Sequence, residues 1–107
     1  MSTPEHERRG CTRVKVSVPV ELCIEGSEFP IRGATSDISL SGCYMETIFP
    51  VAVGTTLELK LQVDGTLLFL ARVVTCDPQV GNGMQFTRML SEDVEELRAF
   101  LEAQKTE

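Results

Sequence analysis

Residues 56–76, TLELKLQVDGTLLFLARVVTC, contain two β-strand patterns separated by a turn signal. From Leu57 to Val63 an apolar residue occupies every second position, which is typical of a strand with one buried face. The Asp64-Gly65 pair that follows is among the strongest short hairpin signals. The second pattern is apolar at both parities near its start, which predicts that both of its faces are covered. The stretch therefore predicts two antiparallel, neighbouring strands.

Similar patterns occupy most of the remaining chain. Apolar residues alternate from Val14 to Ile24, and Pro19 falls on the outward parity of this strand, which predicts an edge position or a bulge there. Further strands are predicted at residues 31–39, 43–48 and 84–88. At Ser91, a good N-cap, the period changes, and an amphipathic helix is predicted at about residues 91–104. The predicted fold is mainly β, a six-stranded antiparallel β-barrel with a C-terminal α-helix, because closure removes exposed strand edges.

The chain length and composition predict one domain. Its 107 residues, 42% of them apolar, are enough to fill a single core. We expect residues 1–12 to form a flexible, arginine-bearing N-terminal arm and residues 13–107 to form the barrel with its helix. The sequence has neither a membrane-length apolar run nor the pattern of a secretory signal. The expected location is therefore the cytoplasm, without membrane insertion.

Charge is distributed unevenly along the sequence. The chain carries 10 basic and 16 acidic residues, a formal net charge of −6. Basic residues nevertheless exceed acidic ones in the first fifteen positions, so the rest of the chain is strongly acidic. Binding to a long nucleic acid requires many phosphates to be neutralised, so DNA and RNA are not expected partners. A ligand with one or two phosphates needs only a few arginines and is compatible with this charge.

Catalytic and metal-binding patterns are not apparent in the sequence. The four cysteines do not have zinc-site spacing, and the only histidine, His6, lies in the predicted arm. Ser39 and Ser41 therefore have no histidine in the folded part to act as a base. We expect a protein that is not an enzyme and holds neither a metal nor a cofactor. The cysteines are interpreted as free thiols: Cys11, Cys23, Cys43 and Cys76.

An arginine cluster, RRGCTR, precedes the first strand. Arg8, Arg9 and Arg13 can converge on one object because they lie in a lead-in segment. A guanidinium binds phosphate oxygens in a planar bidentate fashion, donates to O6 and N7 of guanine, and stacks on bases. The cluster alone is more commonly a solvated basic tail. Its alternative role is to bind a guanine nucleotide.

A second motif, DISLSG, lies between the second and third predicted strands. Asp37 can accept from N1–H and N2–H of guanine together, and adenine does not offer that pair of donors. Ser39 can donate to a carbonyl or phosphate, and Gly42 permits a positive φ angle or a close backbone approach to a ligand. Turns also use aspartate, serine and glycine, so local turn formation is the competing interpretation.

Together, RRGCTR, DISLSG and GNGMQF resemble the motifs of the PilZ domain, and the resemblance covers nearly the whole chain. It implies a six-stranded barrel with a C-terminal helix, and many members are bacterial receptors for the second messenger cyclic di-GMP. The resemblance implies that the ligand-binding residues are Arg8, Arg9, Arg13, Asp37, Ser39 and Gly42. Some relatives carry a ligand-packing aromatic residue near the end of the fifth strand, where this chain has Thr75 and Cys76.

Several functional alternatives follow. The first is a receptor and adaptor whose interaction surface changes when its N-terminal arm orders over cyclic di-GMP and which then binds an unidentified downstream protein. The second is a PilZ-like protein interaction module without nucleotide affinity. The apolar stripe of the predicted helix needs a partner, either the sheet or another copy, so a monomer or a weak dimer is expected.

Overall fold

The computed structural model describes residues 12–105, which form six β-strands and one α-helix. The elements in chain order are β1 (Pro19–Ile24), β2 (Ile31–Ile38), β3 (Gly42–Glu46), β4 (Thr56–Gln62), β5 (Thr66–Asp77), β6 (Gly81–Met89) and α1 (Ser91–Lys105). Ser91 begins the helix as predicted, and Glu92 and Asp93 lie in its first turn, where acidic groups favour the helix dipole.

The strands form a closed antiparallel barrel in the order β1-β2-β3-β6-β5-β4. The prediction of a six-stranded barrel with a C-terminal helix is confirmed. The predicted hairpin is confirmed as well, since β4 and β5 pair in the register Leu59 opposite Phe69. Because every neighbour is antiparallel, the connections β1–β2, β3–β4 and β5–β6 meet at one end of the barrel. The β2–β3 and β4–β5 turns and the start of α1 meet at the other end.

Inward-facing side chains fill the barrel. In β4 and β5 every second residue is buried, from Leu57 to Leu61 and from Leu67 to Val73. The rings of Phe69 and Phe86 pack with their centroids 4.7 Å apart. Leu97 and Leu101 of α1 are almost completely buried in the same core. The apolar stripe of the helix is therefore covered by its own chain.

Three local predictions differ from the structure. The first strand begins at Pro19, where the missing N–H is tolerated, and the valines before it lie outside the ladder. The sixth strand begins at Gly81, three residues earlier than predicted. Leu68 and Leu70 of β5 remain 45% and 40% exposed, so the expectation that both faces of this strand are covered was wrong. Their apolar side chains predicted that another element covers the outer face of β5, but α1 does not cover it at Leu68 and Leu70.

Candidate functional site

The segment before β1 is held against β2 by backbone and side-chain hydrogen bonds. Val14 and Ile38 exchange two backbone bonds of 2.8 and 2.9 Å in an isolated bridge. The side chain of Thr35 adds two hydrogen bonds to this segment. Its Oγ1 donates to the Val16 carbonyl at 2.7 Å and accepts from the Val18 N–H at 3.0 Å. Residues 14–18 are thereby fixed across the end of β2. Nothing in the sequence pattern distinguishes Thr35 from an ordinary strand residue, so this role was not predicted.

This attachment brings together Arg13 and Asp37, two of the predicted site residues. Nη1 of Arg13 lies 3.3 Å from Oδ1 of Asp37, and the two side chains are 50% and 26% exposed. Oδ1 itself is buried and accepts no well-aligned hydrogen bond from the described residues. The pair is therefore a close electrostatic contact in which Asp37 keeps acceptor capacity. It lies beside the β2–β3 turn on the outside of the barrel.

Ser39 organises that turn from within. Its backbone N–H donates to the Gly42 carbonyl at 2.8 Å, and its Oγ accepts from the N–H groups of Ser41 and Gly42 at 3.1 and 3.2 Å. The residue is completely buried. The hydroxyl is thus used to satisfy local backbone donors, as in other turns built on serine. A direct contact between Ser39 and a ligand stays a prediction.

Gly42 is required by close packing of two strands. A Cβ at this position would collide with the backbone carbonyl oxygen of Met84 and lie 3.2 Å from Cα of Gln85. Among the described residues, the glycines with positive φ are Gly26 and Gly54, so Gly42 does not need that conformation. The sequence predicted that a ligand could come close to the Gly42 backbone, but in the structure β6 occupies this space. Backbone contact between Gly42 and a ligand also stays a prediction.

A tyrosine lies directly beside Asp37 and was missed by the sequence analysis. Tyr44 is the register partner of Asp37 across β2 and β3, and its ring covers two glycines of β6. A Cβ at Gly81 would lie 2.6 Å from Tyr44 Cε2, and one at Gly83 would lie 3.7 Å from Tyr44 Cδ1. The only available signal was that this is the single tyrosine of the chain. The strand that pairs with Asp37 therefore carries an aromatic ring, which lies against β6.

Hydrogen bonds fix the other side of this surface. Oη of Tyr44 donates to Oδ2 of Asp77 at 2.6 Å, and this bond is the main reason that the pKa of Tyr44 is raised to about 12. Oγ1 of Thr75 accepts from the Gly83 N–H at 3.0 Å. Thr75, which stands where some relatives have an aromatic residue, is thus packed against the glycine strand. Tyr44 supplies an aromatic ring from a different strand.

A buried thiol lies beneath the site. Cys43 follows Gly42 and points into the core, where it is completely buried. Burial raises the pKa of Cys43 to about 12, and the charge of Asp37 acts in the same direction while that of Arg13 partly opposes it. The group is therefore a neutral thiol that packs as a small apolar side chain. Cys23 and Cys76 are partly exposed and likewise free.

Two of the predicted ligand-binding arginines and most of the predicted arm lie outside residues 12–105. Arg8 and Arg9, and the arm up to residue 11, lie outside the described residues. The division at residue 12 therefore stays a prediction. Within residues 12–105, no group of three or more metal-binding side chains is assembled. In the same range, no helix is long and apolar enough to span a bilayer.

A family model and two solved structures are similar to this chain. The family model described as PilZ domain matches residues 7–103. The structure is similar to the PilZ domain of CeSA from a cellulose-synthesizing bacterium, with a TM-score of 0.69 and 19% identity over 87% of this chain and 97% of that one. It is also similar to the inhibitor of motility MotI/DgrA of Bacillus subtilis, with a TM-score of 0.79 and 17% identity over 92% of this chain.

The present chain covers 51% of MotI/DgrA, about half of that protein. None of the curated proteins matches this sequence. At these identities the two structural likenesses establish the barrel fold, and the sequence match over residues 7–103 extends across almost the whole chain. The chain therefore belongs to the PilZ domain family.

Proposed function

We propose that this protein is a cytoplasmic bacterial receptor for cyclic di-GMP that acts as an adaptor, without catalytic activity. Family membership supports a receptor or adaptor role. The observation that carries the proposal for this chain is the contact between Arg13 and Asp37. Nη1 of the Arg13 guanidinium lies 3.3 Å from Oδ1 of Asp37, a buried oxygen that accepts no well-aligned hydrogen bond from the described residues. The guanidinium can donate to the acceptor edge of a guanine, and the carboxylate can accept from its donor edge.

Asp37 determines base specificity in this proposal. Its carboxylate accepts from N1–H and N2–H of a guanine, while adenine presents no equivalent pair of donors. A site whose acceptor pairs with the donors of one base discriminates against a base that lacks those donors. Ser39 contributes by holding the turn that carries Asp37, and Gly42 contributes by letting β3 and β6 approach closely behind it.

The arginines bind the phosphates and the outer edge of the base. Arg13 is fixed beside Asp37 by the Val14 bridge, so its guanidinium needs only a side-chain rearrangement to reach the ligand. Arg8 and Arg9 belong to the arm of residues 1–12, which we propose orders over the bound nucleotide. Ordering costs part of the binding energy but creates a new surface for a downstream protein. The protein acts as a monomer or weak dimer in this scheme.

A second function is favoured by a specific observation. The Ser39 hydroxyl is hydrogen-bonded within its own turn, and Gly42 is packed against β6. Folding alone therefore explains two of the three predicted site residues in the DISLSG motif. A protein interaction module without nucleotide affinity would need the same turn. It would not need the pairing of Arg13 with Asp37 at the surface.

Titration calorimetry with cyclic di-GMP distinguishes the two functions. The receptor should bind cyclic di-GMP with micromolar or tighter affinity and should not bind cyclic di-AMP. Arg13→Ala and Asp37→Ala should each lose most of this binding, while Arg98→Ala, which removes a surface cation of α1, should keep it. Arg9→Ala should behave like Arg13→Ala. Absence of heat at several temperatures, together with an unchanged melting temperature, would support the interaction module instead.

A further inference from the structure

The end of the barrel away from α1 exposes an unusual amount of apolar surface. We call this surface the loop end and define it as residues 25–30, 46–55 and 77–81. Five of the nine large apolar side chains that are exposed within residues 12–105 lie there, and each is more than half exposed. They are Phe29 (77%), Ile48 (67%), Val53 (61%), Val80 (59%) and Phe49 (57%). Isolated exposed apolar residues are ordinary, but such a concentration at one end is not.

These side chains stand on a rigid support. Val51, in the middle of the β3–β4 connection, is 4% exposed and closes the barrel. The side-chain amide of Asn82, which is completely buried, accepts from the Val51 N–H at 3.3 Å and donates to the Val51 carbonyl at 2.9 Å. The Thr47 N–H donates to the Val80 carbonyl at 3.1 Å and joins this connection to the β5–β6 turn.

This support explains why the neighbours of Val51 remain in solvent. Val51 already fills the space at the barrel end, so Ile48, Phe49 and Val53 cannot turn inward without displacing it. The Gly54 N–H donates to the Val73 carbonyl at 2.8 Å and fixes the far side of the same connection. Hydrogen bonds therefore hold the backbone of this connection in place, and its apolar side chains point into solvent. A preformed apolar surface binds a partner without a large ordering cost.

The charged residues of the loop end all have the same sign. Glu25, Glu28, Glu46 and Asp77 lie within the three segments, and the segments contain neither lysine nor arginine. All four acidic residues are exposed. The candidate nucleotide site lies at the other end of the barrel, beside the β2–β3 turn, and contains the cations Arg13 and Lys15 as well as the Asp37 carboxylate. An apolar surface with an acidic border selects a partner that carries apolar and basic side chains.

We propose that the loop end is a docking surface for a partner protein segment with apolar and basic side chains, such as an amphipathic cationic helix. A two-fold contact between copies of this chain would place the acidic borders against each other, which disfavours self-association. An anionic lipid surface is disfavoured by the same repulsion. The proposal concerns the partner's chemistry and does not require nucleotide binding.

The test uses the full chain and a fluorescent helical peptide made of leucine and lysine, measured by anisotropy. Ile48→Ser/Phe49→Ser should weaken binding by at least about tenfold, because two large apolar contacts are lost. Glu28→Lys/Glu46→Lys should also weaken binding and reduce its dependence on salt. Leu68→Ser is the matched control, since it removes an equally apolar, 45% exposed side chain outside the loop end, and it should leave binding unchanged. Melting curves establish that each variant is folded.

Three further measurements can overturn the proposal. A peptide with glutamate in place of lysine should not bind, and equal binding would eliminate the charge argument. Vesicles of phosphatidylserine should not retain the protein, and retention lost in Ile48→Ser/Phe49→Ser would identify a membrane surface instead. Light scattering should give the same mass for the native chain and Ile48→Ser/Phe49→Ser, and a lower mass for the variant would identify a contact between copies. Equal weakening in Leu68→Ser would show that the peptide does not select the loop end.

Discussion

Tyr44 donates a 2.6 Å hydrogen bond to Asp77, and this contact joins the candidate nucleotide site to the opposite end of the barrel. Tyr44 pairs in register with Asp37, while Asp77 begins the β5–β6 turn that carries Val80. Tyr44 therefore lies on the strand beside the proposed ligand site. Asp77, which accepts its hydrogen bond, belongs to the proposed docking surface.

The phenol of Tyr44 should titrate at a higher pH in the folded than in the unfolded protein. Its pKa is raised from 10.0 to about 12, mainly because the protonated phenol donates to Asp77. The stabilising contribution is thus fully present below pH 10 and is lost as the pH rises toward 12. Because the chain has one tyrosine and no tryptophan, near-ultraviolet absorbance reports this group alone. Asp77→Asn should lower the pH at which Tyr44 titrates. Identical titration curves for the folded and the unfolded protein would contradict the hydrogen bond.

Single substitutions of the Arg13–Asp37 pair should leave the fold almost unchanged. Both side chains are partly exposed, and such ion pairs contribute about 0–1 kcal/mol to stability. Arg13→Ala and Asp37→Ala should therefore shift the urea unfolding free energy by less than about 1 kcal/mol. A loss of nucleotide affinity larger than this change in stability would then reflect lost contacts with the ligand. An unfolded circular-dichroism spectrum for either variant would show that the pair has a structural role.

Gly42→Ala should destabilise the barrel whether or not a ligand binds. The added methyl group would collide with the Met84 carbonyl, and overpacking of this kind typically costs about 1–3 kcal/mol. Gly65→Ala is the matched control, because its nearest neighbour, Oε2 of Glu96, would lie at an ordinary 3.5 Å. Thermal unfolding of both variants separates the two cases. Equal stability of Gly42→Ala and the native chain would mean that β3 and β6 can separate at no cost.

Asn82→Ala should loosen the loop end. The substitution leaves the buried N–H and carbonyl of Val51 without their side-chain partner, which costs about 1–3 kcal/mol for an unsatisfied buried group. Gln62→Ala removes an exposed side-chain hydrogen bond to Thr66 and should cost much less. Hydrogen exchange should increase most at the Val51 amide. Unchanged protection there would show that the β3–β4 connection is held by other contacts.

Cys43 should be the least reactive of the described thiols. Its burial and a pKa of about 12 keep it protonated at neutral pH, and the thiolate is the reactive form. Cys23 and Cys76 are partly exposed and should be modified first by a maleimide under native conditions. Mass spectrometry of digested protein identifies the modified positions, and urea should expose Cys43. Native modification of Cys43 at the rate of Cys76 would indicate frequent opening near the candidate site.

Most of the fold was accessible from local sequence patterns. The two-residue period in β4 and β5, the Asp64-Gly65 turn and the four-residue period after Ser91 each reflect a local preference that the tertiary structure reinforced. The boundaries of β1 and β6 were less predictable. Val14 to Val18 alternate like strand residues, but Thr35 diverts their hydrogen bonds, and the glycines of β6 give no strand signal because they have no side chain to bury.

The sequence by itself determined the strand and helix content, the barrel class and the two motifs that contain Arg13 and Asp37. Those features depend on periodicity and residue type, which act over a few neighbouring positions. Only the tertiary structure decided that Arg13 meets Asp37, that Tyr44 covers Gly81 and Gly83, and that apolar and acidic residues gather at the loop end. These relationships depend on strand order and register, because closing the barrel brings together residues that are tens of positions apart in the chain.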